Sequence, residues 1–197
     1  MRVGVFASGS GTNLQAILDA QIDTIEIVLV FSNKSDAYAL ERAKTHNIPA
    51  LVIDHKGYKS REEYDSDIIK ALEPYKLDLI VLAGYMRILS PVFVRAYKDK
   101  IINIHPALLP SFPGINSAKQ ALEYGVKFTG VTVHFVDEGV DTGPIILQSV
   151  VEIEDDDTEE TLLKKIHRVE HQIYPKSLEL VSSGQIEVKD RRVLKKS

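Results

Sequence analysis

Arg2-Val3-Gly4-Val5-Phe6-Ala7-Ser8-Gly9-Ser10-Gly11-Thr12-Asn13 is the stretch that decides the fold class of this chain. Arg2 to Ala7 is a short apolar run rich in strand formers, and a helical pattern follows through Leu14, Ile17 and Leu18. A buried strand, a glycine-rich turn and a helix, in that order, open a strand–helix–strand unit. Units of that kind build parallel sheets with helices on their faces. The alternation continues outward from this stretch. Ile25 to Phe31 and Ala50 to Ile53 read as strands, with a helix from Asp36 to His46 between them. Ser60 and Glu63 have capping-box spacing, so a helix starts there and runs to about Glu73. Leu77 to Ala83 is a fourth strand, closed by Gly84, and Ser90-Pro91 opens a short helix. Lys100-Ile101-Ile102 carries a further strand signal. The expected fold is α/β, a doubly wound, mostly parallel twisted sheet.

The pattern changes after Pro110. Thr129 to Val136 alternates, with Val131, Val133 and Phe135 on one face and Thr132, His134 and Val136 on the other. Pro144 to Ile153 reads as a strand that pairs with it in a hairpin, giving the sheet an antiparallel C-terminal portion. Asp157 and Glu160 have capping-box spacing and open a long helix through Leu162, Ile166, Val169 and Ile173, which Pro175 is expected to kink or end. Ile186 to Leu194 reads as a small hairpin turning at Asp190-Arg191. There is no repeat or linker. The 197 residues therefore read as one domain, with an α/β half over 1–110 and a C-terminal half over 111–197.

Composition narrows the chemistry. The chain is 44% hydrophobic and has no cysteine, which excludes disulfides, thiolate zinc sites and a cysteine nucleophile. Its net charge of −4 gives no reason to expect nucleic acid as a partner. It has no long apolar run, and its start reads as a core strand rather than a signal peptide, so the cytoplasm is the expected location and no membrane is expected as partner. Oligomeric state is not legible, and a homodimer is allowed for.

Two stretches carry chemistry. The Ser8 to Asn13 loop stands between a strand and a helix N-terminus, where backbone N–H groups can hold an anion. A dinucleotide fingerprint would want glycine where Leu14 stands and an acid where Ser32-Asn33 stands; a Walker loop would want Gly-Lys-Ser/Thr. A single phosphate group remains, weighed against a tight turn with a Thr or Asn cap. The second stretch is Asn103-Ile104-His105-Pro106, at a strand end. Residues two apart on a strand share a face, so an amide donor and an imidazole lie side by side. That pair suits a reaction in which a carbonyl becomes an oxyanion. Asp141, in Val140-Asp141-Thr142-Gly143-Pro144, is the candidate carboxylate, against the plainer reading of a turn aspartate.

Ser8-Gly9-Ser10-Gly11-Thr12-Asn13, Met86-Arg87-Ile88-Leu89-Ser90, Asn103-Ile104-His105-Pro106 with Leu108-Leu109-Pro110, and Asp141-Thr142-Gly143-Pro144 occur in this order. Together they resemble the phosphoribosylglycinamide formyltransferases, a branch of the folate-dependent formyltransferase superfamily, from Val3 to about Pro175. The resemblance implies a Rossmann-like formyltransferase fold and transfer of the formyl group of 10-formyltetrahydrofolate, a co-substrate, to the amino group of glycinamide ribonucleotide. It implies catalytic roles for Asn103 (oxyanion donor), His105 (charge stabilisation and proton relay) and Asp141 (orienting His105). It implies a ribonucleotide site at Gly11, Thr12, Asn13 and Glu170, the last on the ribose hydroxyls. It implies folate contacts at Arg61, Met86, Arg87, Ile88, Leu89, Asn103 and Val140. No metal is expected, a His105, His134, Asp141 site having no supporting ligand spacing. One departure stands out: after Phe112-Pro113-Gly114, where many members carry a histidine, this chain has Ile115-Asn116-Ser117. The alternatives are 10-formyltetrahydrofolate hydrolase, whose extra N-terminal domain is not expected here, methionyl-tRNA formyltransferase, which needs a basic surface, and a non-catalytic phosphate-ligand sensor.

Overall fold

Strands whose two faces are both covered by protein carry continuous apolar runs rather than alternating ones. The computed structural model, which describes residues 1–196, bears this out in the first of two compact units, Met1–Asn103. Its strands are β1 (Arg2–Phe6), β2 (Glu26–Ser32), β3 (Ala50–Val52), β4 (Leu79–Leu82) and β5 (Ile101–His105), the last of which runs on into the second unit. Val3, Val5, Phe6, Leu29, Val30, Phe31, Ile80 and Val81 are completely buried. The strands lie in the order β3-β2-β1-β4-β5, all parallel. The order reverses direction between β1 and β4, and open α/β sheets bind ligands outside the carboxyl ends of strands at such a switch point.

The helices of this unit are α1 (Thr12–Asp19), α2 (Tyr38–Thr45), α3 (Arg61–Leu72) and α4 (Pro91–Ala96). Ser60 caps α3 as expected, accepting from Glu63 N at 3.1 Å. The Glu63 carboxylate reaches one residue further back than a capping box would, to Lys59 N at 2.9 Å. Ser90 caps α4, whose first helical residue is Pro91.

The second unit begins at Ile104. It contains α5 (Ser117–Tyr124), β6 (Phe128–Phe135), β7 (Ile145–Glu152), α6 (Glu159–Ser182), β8 (Ile186–Lys189) and β9 (Arg192–Lys195). β6 and β7 are the expected antiparallel hairpin, and β8 and β9 form a second one through Asp190, which takes φ +56. α5 was not expected. It is one helix of only eight residues, with Asn116 at its N-cap in a left-handed conformation and no side-chain cap to announce its start.

One local expectation fails, and one of the two alternatives at Pro175 drops out. The N-cap of α6 is Thr158, which forms the capping box with Thr161; Asp157 instead accepts from Thr161 Oγ1 at 2.7 Å and from Glu154 N at 2.8 Å. Asp155, Asp156, Asp157 and Thr158 all carry side-chain oxygens that can cap, and spacing alone does not rank them. Nor does Pro175 end the helix, which continues to Ser182 with Pro175 buried inside it. The ring removes one N–H, but a buried apolar face on both sides of it keeps the helix on its sheet.

The face of β6 expected to be polar is also buried. Thr132 and His134 are 0% and 2% exposed. Thr132 Oγ1 donates to Ala107 O at 2.7 Å and accepts from Leu109 N and Gln148 Nε2, each at 3.0 Å. One hydroxyl thus satisfies the backbone of the loop that follows His105. Thr132→Val keeps the shape and orphans these groups, so stability should fall by about 2–4 kcal/mol. Urea unfolding checks this; a midpoint equal to that of the parent chain rejects it.

Candidate active site

The carboxyl ends of β1, β2 and β4 are bound together by one serine. Ser8 N donates to Gly84 O at 3.0 Å, Ser8 Oγ donates to Asn33 Oδ1 at 2.6 Å, and Met86 N donates to Ser8 Oγ at 2.8 Å. The glycine loop and the Met86–Leu89 segment are therefore one structure at the switch point. Gly11 is the N-cap of α1, with φ +69, and has no side chain to answer the first-turn N–H groups. A Thr or Asn cap is thus not what the loop provides. Thr12 is half-buried and Asn13 buried at the start of α1.

In the Tyr85–Ser90 segment, Met86 and Ile88 are 74% and 59% exposed, whereas Leu89 is buried. Core packing accounts for Leu89, but not for Met86 or Ile88. Arg87 lies with its guanidinium carbon 5.0 Å from the centre of the Tyr64 ring. Asp65 of α3, 3% exposed, accepts from Ser90 N at 2.6 Å. Burial pushes its carboxyl up, while Ser90 and the charges of Arg87 and Arg61 pull the other way. Arg61 itself is exposed at the first turn of α3. Ser8 and Asp65 escaped the sequence reading. A serine in a glycine loop and an aspartate in an amphipathic helix look like ordinary turn and surface residues.

Asn103 is half-buried near the end of β5, opposite Leu82 of β4. His105, two residues on, is 3% exposed. In the second unit His105 Nε2 lies 2.8 Å from Phe112 O, and a carbonyl only accepts, so Nε2 carries a hydrogen. Its Nδ1 faces Asp141 Oδ2 at 3.4 Å. Asp141 is held from several sides. It takes φ +54, and its Oδ2 accepts from Gly114 N at 2.8 Å. Its loop is fixed by Asp137, which accepts from Gly139 N at 3.1 Å and Thr142 Oγ1 at 2.6 Å. A Cβ on Gly143 would stand 1.8 Å from Phe135 O, so only glycine lets the loop lie this close to β6.

His134 is the neighbour that sequence reasoning left open between site and solvent. Its Nε2 is 3.7 Å from Asp141 Oδ1, and its Nδ1 lies 2.8 Å from Phe135 O. Burial, above all, pushes its imidazole down, and the charge of Asp141 only partly offsets this. A neutral ring with its hydrogen on Nδ1 turns a lone pair toward Asp141, so the 3.7 Å approach is not an ion pair at neutral pH. Asp141 therefore has buried imidazoles on two sides. Among the described residues no group of three or more acidic or histidine side chains is arranged to hold a metal ion. Val140 is 48% exposed, and Glu170 of α6 is 5% exposed, its charge adding to the burial that pushes the Tyr174 hydroxyl up. No helix among the described residues is long and apolar enough to cross a membrane.

The first unit thus carries a glycine loop ending in the left-handed Gly11 at the start of α1, and the second a buried imidazole facing a carboxylate. The matching family is one of acyl-transfer enzymes, the formyl transferases. The chain belongs to the formyl transferase family, whose model matches residues 1–178. It is 45% identical over 177 residues to the phosphoribosylglycinamide formyltransferase of Bacillus subtilis, covering 88% of this chain and 91% of that protein. It is 50% identical over 188 residues to the trifunctional purine biosynthetic protein adenosine-3 of Drosophila melanogaster, covering 93% of this chain. The chain spans only 14% of the length of that larger relative. The crystal structure of glycinamide ribonucleotide transformylase 1 from Symbiobacterium toebii superposes with a TM-score of 0.96 at 46% identity, over 100% of this chain and 94% of that one.

Proposed function

We propose that this chain transfers the formyl group of 10-formyltetrahydrofolate to the amino group of N1-(5-phospho-D-ribosyl)glycinamide, giving the N2-formyl product and tetrahydrofolate in de novo purine synthesis. The observation that carries the reading is the Asp141–His105 contact in a member of this family. The substrate amine attacks the formyl carbon, forming a C–N bond and an oxyanion. Asn103 donates to that oxyanion, and His105 stabilises it and relays the proton lost by the amine. Collapse breaks the bond from the formyl carbon to N10 of the folate, which takes up a proton. Asp141 keeps the His105 ring in register. No covalent enzyme intermediate is needed, which suits a chain without cysteine.

Gly11, Thr12 and Asn13 take the ribonucleotide phosphate, and the Glu170 carboxylate accepts from the ribose hydroxyls. Arg61, Met86, Arg87, Ile88, Leu89, Asn103 and Val140 contact the folate. The exposure of Met86 and Ile88, beyond the end of β4, supports this, since apolar side chains left open there suit an apolar ligand. The whole chain works as one formyltransferase domain.

Mixing the protein with 10-formyltetrahydrofolate, with and without the ribonucleotide, tests the proposal. Tetrahydrofolate release should require the ribonucleotide. Release that ignores it means that water is the acceptor, as in a hydrolase; no release under either condition means a phosphate-ligand sensor or another acceptor.

A further inference from the structure

Helix α2 presses on the glycine loop through polar contacts that the mechanism does not use. Ala39 N donates to Gly9 O at 3.1 Å. Arg42 Nε donates to Ser10 O at 2.8 Å, and its Nη1 donates to Gln15 Oε1 at 2.9 Å. The guanidinium carbon of Arg42 stands 5.0 Å from the centre of the Tyr38 ring, a further contact on the side chain. The backbones meet closely: a Cβ on Gly11 would stand 2.8 Å from Ala39 Cβ and 2.9 Å from Ala39 Cα.

Two consecutive loop carbonyls, Gly9 and Ser10, are therefore taken up by α2. In a planar trans peptide the C=O and the next N–H point in opposite directions. Drawing those carbonyls toward α2 turns the N–H groups of Ser10 and Gly11 away from it, and Arg42 holds the second of the two peptides. We propose that Arg42 is a positioning residue for the ribonucleotide phosphate, acting by fixing the Ser10–Gly11 peptide so that its N–H faces the anion. It need not touch the substrate. The inference rests on the reading of this loop as the phosphate site.

Kinetics on the full chain test it, with inorganic phosphate as a second probe, competing against the ribonucleotide. Arg42→Ala should raise the ribonucleotide KM and the phosphate inhibition constant together by about tenfold, the loss of one charge-assisted hydrogen bond, with kcat falling less and the folate KM staying within about twofold. Arg42→Lys should recover little, because an ammonium lacks the planar fork that spans Ser10 O and Gln15. An unchanged ribonucleotide KM in Arg42→Ala, alongside a raised one in Asn13→Ala, overturns the inference and leaves the loop reading standing. Unchanged values in both overturn the loop reading and the inference with it. Full recovery by Arg42→Lys shows that charge alone suffices and overturns positioning by the fork.

Discussion

His105→Ala and Asn103→Ala should each lower kcat by about a hundredfold or more, as losing one oxyanion donor typically does. The two losses have different origins. Asn103 is half-buried near the end of β5, so its removal should disturb the fold less than removal of a buried side chain. Nearly all of the effect should then fall on kcat. His105 is buried and bonded to Phe112 O, so its removal also loosens the loop after β5. Some stability should be lost along with rate. Rates must therefore be expressed per folded molecule, with folding followed by circular dichroism. The double variant should lose less than the product of the two single losses, because the residues serve the same oxyanion. Near-normal turnover in either folded single variant would sink the catalytic assignment.

Asp141→Asn should cost about 10²-fold or more in kcat, the lower end of what positioned acid–base groups contribute. Asparagine tolerates the left-handed backbone that residue 141 adopts, so the loop should keep its course. The electrostatics cannot be kept. The carboxylate accepts from Gly114 N on the oxygen that faces His105 Nδ1, and its other oxygen faces His134. An amide that keeps its oxygen on Gly114 N and His105 turns its NH₂ toward the lone pair of His134 Nε2, so the hydrogen bonds can persist. What is lost is the negative charge beside His105. Steady-state kinetics with both substrates, together with a melting curve, check this. A variant that melts like the parent and turns over at more than a tenth of its rate rules out a catalytic role for the Asp141 charge.

Much of this was legible before any coordinates, for a physical reason. Strand runs, helix starts at Ser60 and Ser90, and the turn at Asp190 are set by residues close together in the chain. So is the shared face of Asn103 and His105, which follows from the two-residue repeat of a strand. The Thr158 cap was not legible because neighbouring residues offered equivalent caps, and α5 was not because it is short and starts without a side-chain cap. Pro175 illustrates the opposite case, a local rule overridden by packing on both sides of it.

The sequence by itself determined the parallel α/β class, the glycine loop at the end of β1 and the amide–imidazole pair at the end of β5, because each depends on local periodicity. Only the tertiary structure decided that Ser8 joins three strand ends, that Arg42 holds the Ser10 peptide and that Thr132 and His134 turn inward. It also placed Asp141 against His105 and His134. Those contacts join residues far apart along the chain. What fixes them is the burial of polar groups, each of which must find a partner once water is gone.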